Sequence, residues 1–312
     1  MLDLDQDIKK KLLSLLSNQQ YSSLEFEIKQ MGNIDEQHPI VIMIFASSKA
    51  LNPISKISDL IEASRLFEGV YLMNKKNNNN LVPKNLDPLI NMIFLSFKTK
   101  IFQNVLSLAT EAFESNKQNE KLIEGLAIIN LFLANNNEAI KYYKLLFQIN
   151  DKRILGRAPL LCCMNYASNI NQEYYFNECL KYSEILEKDL VPNKKKFFLD
   201  KEKKIKIVFL SSDFRNHSVS FFLKDLFFYI DKKMFDVIAL SNLGKDEEDN
   251  MSQEIKNFTN EWHVIFEKTD IEIINLIKSL DVDILIDLNG LTEGNRINVV
   301  KNRCAPIQIC WL

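Results

Sequence analysis

The sequence predicts an all-helical repeat followed by an α/β parallel sheet wound with crossover helices, and three observations carry that reading. From the N-terminus to about residue 150, apolar residues recur at three- and four-residue spacings with almost no period-two alternation. From Lys203 onward, runs of four to seven residues rich in Ile and Val alternate with amphipathic helical stretches. A length of 312 residues is enough for two domains, each with its own core.

Breaks at Asn, Pro and Gly clusters place helices near 5–17, 20–31, 38–50, 57–75, 87–98, 101–115, 119–134 and 136–149. These pair into four hairpins whose second helices begin near Gln20, Ile57, Ile101 and Glu138, giving repeat lengths of 37, 44 and 37 residues. The period is close to, and looser than, the ~34 residues of tetratricopeptide repeats. The last unit fits best, with Gly125-Leu126-Ala127 at the small-residue positions and Ala139 to Tyr143 opening the second helix. Hairpins that cannot bury an apolar face alone stack into a degenerate solenoid whose concave side grips extended peptide. A compact helical domain without a ligand is the competing reading. The Asn77–Asn80 run reads as a solvated loop. The helical domain is thus assigned to 1–150, and a connector to 151–202 that includes the Lys194-Lys195-Lys196 run beside Phe197-Phe198, a charged linker face.

Composition narrows the function. A net charge of −2 offers no electrostatic argument for nucleic acid or a membrane surface. No apolar run reaches the ~18 residues of a membrane span, and the acidic N-terminus lacks the features of a signal peptide, so the expected location is cytoplasmic. Five cysteines without paired C-x-x-C spacing read as reduced, mostly buried thiols and not as a zinc site. Of 39 basic residues only six are Arg, which makes those six informative.

The α/β part is assigned to 203–312. Its predicted strands are Ile205–Phe209, Phe235–Ser241, His263–Phe266, Asp283–Leu288 and Ile307–Trp311, with helices at Ser218–Ile230, Ser252–Phe258, Ile271–Leu280 and Arg296–Asn302. Ligands of such sheets sit at the carboxyl ends of the strands. Two segments at that edge carry chemistry: Ser211 to His217 after the first strand, and Asn289 to Arg296 after the fourth. His217, with Asp213, Asn216 and Ser218 nearby, suits a general base whose tautomer a carboxylate holds. The alternative is a helix cap in which Asn216 or Ser218 satisfies the backbone and His217 packs. Gly290 and Gly294, two of only seven glycines, point to positive φ or close backbone approach. Arg296 opens a helix and suits an anion or a peptide carbonyl, or else simply belongs to a strand-to-helix turn. No dinucleotide or P-loop fingerprint is present, and His38 and His263 read as structural.

Three ordered motifs add a resemblance. Ile207 to His217, ending Ser211-Ser212-Asp213-Phe214-Arg215-Asn216-His217, resembles the opening of the catalytic region in the SPINDLY and O-GlcNAc transferase family. Asp283 to Gly290 with Thr292, Gly294 and Arg296 is similar to that family's D-I-L-V-D-L-N-G-x-T-x-G-x-R, and Arg303 to Leu312 to its R-P-A-P-I-Q-x-x-W-L. Leu160 to Tyr166 is a weaker echo of the helical join before the catalytic domain.

The resemblance implies a bacterial-type, repeat-containing, inverting GT-B protein O-glycosyltransferase that works without a metal or other cofactor. Its 203–312 segment would be the Rossmann-like N-terminal catalytic lobe. UDP-N-acetylglucosamine is the leading donor, with glucose and fucose donors open. The helical repeats would present protein or peptide acceptors. By the same likeness His217 lies at the sugar and acceptor site, and Asp213, Asn216, Asn289, Gly290, Thr292 and Arg296 line the acceptor side. Ser218, Phe221, Leu291 and Cys304 depart from the family pattern. The nucleotide-binding lobe that family members carry next does not follow within these residues, so the chain alone is expected to be inactive. A peptide-binding adaptor with a vestigial transferase lobe is the other reading.

Overall fold

The computed structural model describes residues 4–79, 81–187 and 203–311. The run at 188–202, which holds the predicted Lys-rich linker, lies outside the described residues, as do Asn80 and Leu312. The chain divides into two compact units, Met1–Arg153 and Ile154–Leu312.

Among the described residues the first unit holds eight α-helices: α1 Gln6–Ser17, α2 Tyr21–Gln30, α3 Pro39–Leu51, α4 Ile57–Asn77, α5 Asp87–Thr99, α6 Gln103–Ser115, α7 Glu120–Phe132 and α8 Asn136–Ile149. Local chemistry sets their limits. The Asp5 carboxylate accepts from the amides of Asp7 and Ile8, and Asn119 Oδ1 from that of Leu122, satisfying N–H groups that lack helical partners. His38 Nδ1 accepts from Ile40 N at the start of α3, where Pro39 needs no partner. Lys100 ends α5 and Ala134 separates α7 from α8, both with positive φ.

Consecutive helices pack in hairpin fashion and α7 also packs on α5. At that crossing Gly125 faces Ile93, and a Cβ on Gly125 would lie 2.7 Å from Ile93 Cγ2 and 2.9 Å from Cδ1. The small residue is therefore a packing requirement, and the buried set around it includes Leu122, Leu126, Tyr143 and Leu146.

The second unit begins with α9 Arg157–Tyr166 and α10 Gln172–Glu187, joined by the buried Arg157–Glu178 pair at 3.7 Å. The α/β region follows as β1 Ile205–Ser211, α11 Ser218–Tyr229, β2 Phe235–Ser241, α12 Asn250–Asn257, β3 Glu261–Val264, α13 Asp270–Ser279, β4 Ile284–Asp287, α14 Ile297–Val300 and β5 Ile307–Cys310. All five strands are parallel in the order β3-β2-β1-β4-β5. Alternate side chains go to opposite faces. Val208, Leu210, Ile238, Leu240 and Leu285 pack with Ile273, Ile277 and Val299 of α13 and α14. Ile207, Phe209, Val237 and Ala239 pack with Leu223, Phe227 and Ile255 of α11 and α12. Burial on both faces explains why these strands read as nearly continuous apolar runs.

Two predicted elements shift. The third strand lies at Glu261–Val264 and not at His263–Phe266, because its ladder pairs with Ile238–Ser241 and stops where β2 stops. The last predicted helix contracts to four residues, its end closed by tighter bonds from Asn302 N to Val299 O and from Arg303 N to Val300 O before the chain turns left-handed at Arg303 (φ 49°). The cysteines are free thiols, but only Cys163 and Cys304 are fully buried and Cys310 is exposed. Among the described residues no helix is long and apolar enough to cross a membrane.

The Gly125–Ile93 contact gives a double-mutant prediction. Gly125→Ala is expected to destabilise the protein by about 1–2 kcal/mol despite alanine's better helix propensity. In an Ile93→Ala background the same change becomes neutral or stabilising. Urea unfolding of the four variants measures the coupling.

Candidate functional site

Strand order reverses between β1 and β4, whose nearest sequence neighbours β2 and β5 lie on opposite sides. The crevice outside such a switch point is where open parallel sheets place ligands. Here it is a cleft of about 520 Å³ whose lining includes Ser212, Asp213, Arg215, His217, Asn242, Glu247, Phe266, Asn289, Thr292, Glu293 and Gly294. Both chemically dressed segments therefore meet in one place.

The Asn289 carboxamide joins them. Asn289 Oδ1 accepts from Ser212 N at 2.9 Å, and its Nδ2 donates to Ser212 Oγ at 2.7 Å and to Asp213 Oδ2 at 2.9 Å. Thr292 Oγ1 donates to Asn289 O at 2.9 Å, closing the turn. Gly290 and Gly294 adopt φ of +54° and +76°, as their scarcity suggests. Gly294 also meets the other requirement, since a Cβ there would lie 2.6 Å from Ser212 Cβ. Asp287, 3% exposed, accepts from Asn289 N at 3.1 Å. Burial pushes its carboxyl above the ordinary range, against the opposing pull of the Asn289 and Gly290 amides.

The loop after β1 is held as firmly. Asp213 N donates to Ser211 Oγ at 3.0 Å, Ser220 Oγ to Asp213 O at 2.6 Å, and Ser252 Oγ to Phe214 O at 2.6 Å. His217 is itself the N-cap of α11, with Nδ1 accepting from Val219 N at 3.4 Å. This corrects the expectation that Asp213 holds its tautomer or that a neighbour supplies the cap. An Nδ1 that accepts leaves the neutral ring's proton on Nε2, a donor and not a base.

Of the residues singled out in the sequence, Asp213, His217, Asn289 and Thr292 line the cleft. Asn216 uses its backbone, donating to Asp249 Oδ2 at 2.7 Å, and Gly290 faces Cys310 with 3.6 Å between a would-be Cβ and Sγ. Neither these two nor Arg296 is among the lining residues. Sequence reasoning passed over Asn242, Glu247 and Phe266. They follow β2 and β3, where no motif marks them, and only their position beyond strand ends points to them. Arg215 forms a 2.9 Å ion pair with Glu247 across the cleft. From the join before the sheet, Cys162 Sγ contacts Leu291 O at 3.7 Å.

Residues 164–312 match the model of glycosyl transferase family 41. This segment, just under half of the chain, is similar to that family. Curated relatives agree. The segment is similar to the probable UDP-N-acetylglucosamine–peptide N-acetylglucosaminyltransferase SPINDLY of Petunia hybrida, 29% identical over 115 residues, covering 36% of this chain and 12% of that protein. SPINDLY of Arabidopsis thaliana is 27% identical over 115 residues, covering 36% and 13%. The chain thus matches about an eighth of the length of these relatives. Among solved structures, a K341M mutant of Thermobaculum terrenum O-GlcNAc transferase shares the fold, with a TM-score of 0.69 at 16% identity over 88% of this chain and 51% of that one.

Two predictions follow from this geometry. Gly294→Ala should cost about 2–4 kcal/mol in urea unfolding, from left-handed φ plus the Ser212 overlap, and less in a Ser212→Gly background. For Asp287 the native carboxyl lies above its unfolded value of about 3.9. Wild-type stability is therefore favoured below that pH and is eroded as pH rises through the native value. Asp287→Asn, which keeps an acceptor oxygen, should gain stability relative to wild type between about pH 4 and 7, read from unfolding curves across that range.

Proposed function

We propose that this chain supplies the helical repeats and the acceptor-side lobe of an inverting protein O-glycosyltransferase that moves N-acetylglucosamine from UDP-N-acetylglucosamine to Ser or Thr hydroxyls. The observation that carries the reading is the convergence of His217, Asp213, Asn289 and Thr292 at the switch point of a family 41 lobe. The relatives' printed names supply the donor sugar and the peptide acceptor. The cleft's own chemistry suits that half of the reaction. Asp213, Glu247 and Glu293 stand around it and Arg215 is paired, so it favours a neutral sugar and a hydroxyl over a diphosphate.

In this reading the acceptor oxygen attacks the anomeric carbon in line. The bond from that carbon to the diphosphate oxygen breaks, and UDP leaves with the electron pair. His217 orients the hydroxyl or sugar through Nε2–H, and Asp213, the buried carboxylate of the cleft, takes the released proton. The diphosphate is met by positive groups outside this cleft, the largest electrostatic requirement of the step. No metal or other cofactor enters it. The helical repeats bind extended acceptor segments.

Native protein, purified at its encoded length and incubated with radiolabelled UDP-N-acetylglucosamine and Ser/Thr peptides, is expected to label hydroxyl side chains. His217→Ala should lower kcat by about tenfold or more. His217→Asn, which keeps a cap acceptor for Val219, should melt like wild type yet show the same loss. Unchanged turnover in His217→Ala removes the assigned role. Peptide binding without transfer from any nucleotide sugar replaces the enzyme reading with an adaptor.

A further inference from the structure

The sequence places Arg296 where a cation could meet an anionic ligand, but its guanidinium is already engaged. Nε and Nη2 both donate to Asn242 Oδ1, at 3.1 and 2.8 Å, and Nη2 also reaches Ile265 O and Phe266 O, each at 3.2 Å. Nη1 pairs with Asp270 Oδ1 at 3.1 Å, at the first residue of α13. The side chain is only 19% exposed. Its charge is balanced by one carboxylate, and its donors are spent on protein oxygens, so little is left for a ligand.

What those partners share is the cleft. Asn242 and Phe266 line it, one following β2 and the other β3. Asn242 passes the constraint on, since its Nδ2 donates to Gly294 O at 2.8 Å and its backbone N to Ser211 O at 2.7 Å. Gly294, also in the lining, is pressed against Ser212. One planar fork therefore ties together the segments that follow β2, β3 and β4. A lysine, with a single rotatable ammonium, cannot address Asn242, Asp270 and two carbonyls at once.

We infer that Arg296 is a positioning residue that fixes the Asn242–Phe266–Gly294 wall of the cleft, acting on the acceptor through that wall and never touching it. The inference rests on the reading of this cleft as the acceptor site. Its consequence is an effect on catalysis at temperatures where the variant is fully folded, because small misplacements of positioning groups cost large factors in rate.

The test uses native protein, wild type and the variants Arg296→Ala, Arg296→Lys and Asn242→Asp. With peptide acceptor, both Arg296 variants should lose about tenfold or more in kcat/KM well below their melting temperatures. Methylguanidinium should restore part of the loss in Arg296→Ala and none in Arg296→Lys. Asn242→Asp keeps an acceptor for the guanidinium but loses the donor to Gly294 O. It should melt like wild type and still lose activity, which guards against variants of Arg296 that fail to fold. Lower melting temperatures with kcat/KM within about twofold of wild type would overturn the inference. Amide hydrogen exchange decides it independently of turnover. In Arg296→Ala the amides of Asn242 and Asn295 should exchange about tenfold faster or more, with those of β1 unchanged. Unaltered exchange at Asn242 overturns the inference. A wild type without turnover defeats the transferase reading and leaves the exchange result to decide the wall.

Discussion

The site depends on one buried carboxamide crossing from one loop to another. A parallel sheet that reverses its winding direction leaves a gap between two neighbouring strand ends, and nothing in the ladder itself holds the loops beyond that gap together. Asn289 does so with an oxygen on the Ser212 amide and a nitrogen shared between Ser212 Oγ and Asp213. At 4% exposure the amide operates away from competing water, where paired groups bind well and unpaired ones are costly. The tight turn at Gly290 and the close approach at Gly294 are the backbone conditions for bringing that amide into place.

Around this crosslink the two strand-end loops are built differently. The loop after β1 is pinned by hydroxyls from α11 and α12, with Ser220 and Ser252 donating to its carbonyls, so the helices covering one face of the sheet also set the cleft's shape. The loop after β4 pins itself through its own Arg296, which reaches the segments after β2 and β3, while Asn242 holds Gly294 O from beyond β2. His217 ends its loop by capping a helix through Nδ1 and stands in the cleft lining.

Most of the secondary structure was legible because its causes are local. Helix limits at Asp5, His38 and Asn119 follow from capping side chains, and the strands from apolar runs that two layers of helix cover. The shift of β3 was not legible, since its limits are set by a partner strand and not by its own residues. The glycines of the second motif announced their backbone conformation through scarcity alone. The protein partners of Arg296 were not legible because they stand 26 to 54 residues away, in segments without motifs of their own. The position of His217 at a strand-to-helix turn was legible, yet which nitrogen it spends on the backbone depends on where Val219 turns, which spacing does not reveal.

The cleft walls spend most of their hydrogen-bonding capacity on one another, and this governs what fills the space between substrates. Water in a cavity is retained by the groups it can bridge, and here Asn289, Ser212 and Asn242 already have protein partners. Solvent entering the cleft is left chiefly with the charged side chains Asp213, Glu247 and Glu293 to hydrate. A molecule entering the cleft meets walls already braced by their own hydrogen bonds, so the ordering cost of association falls mostly on the incoming molecule.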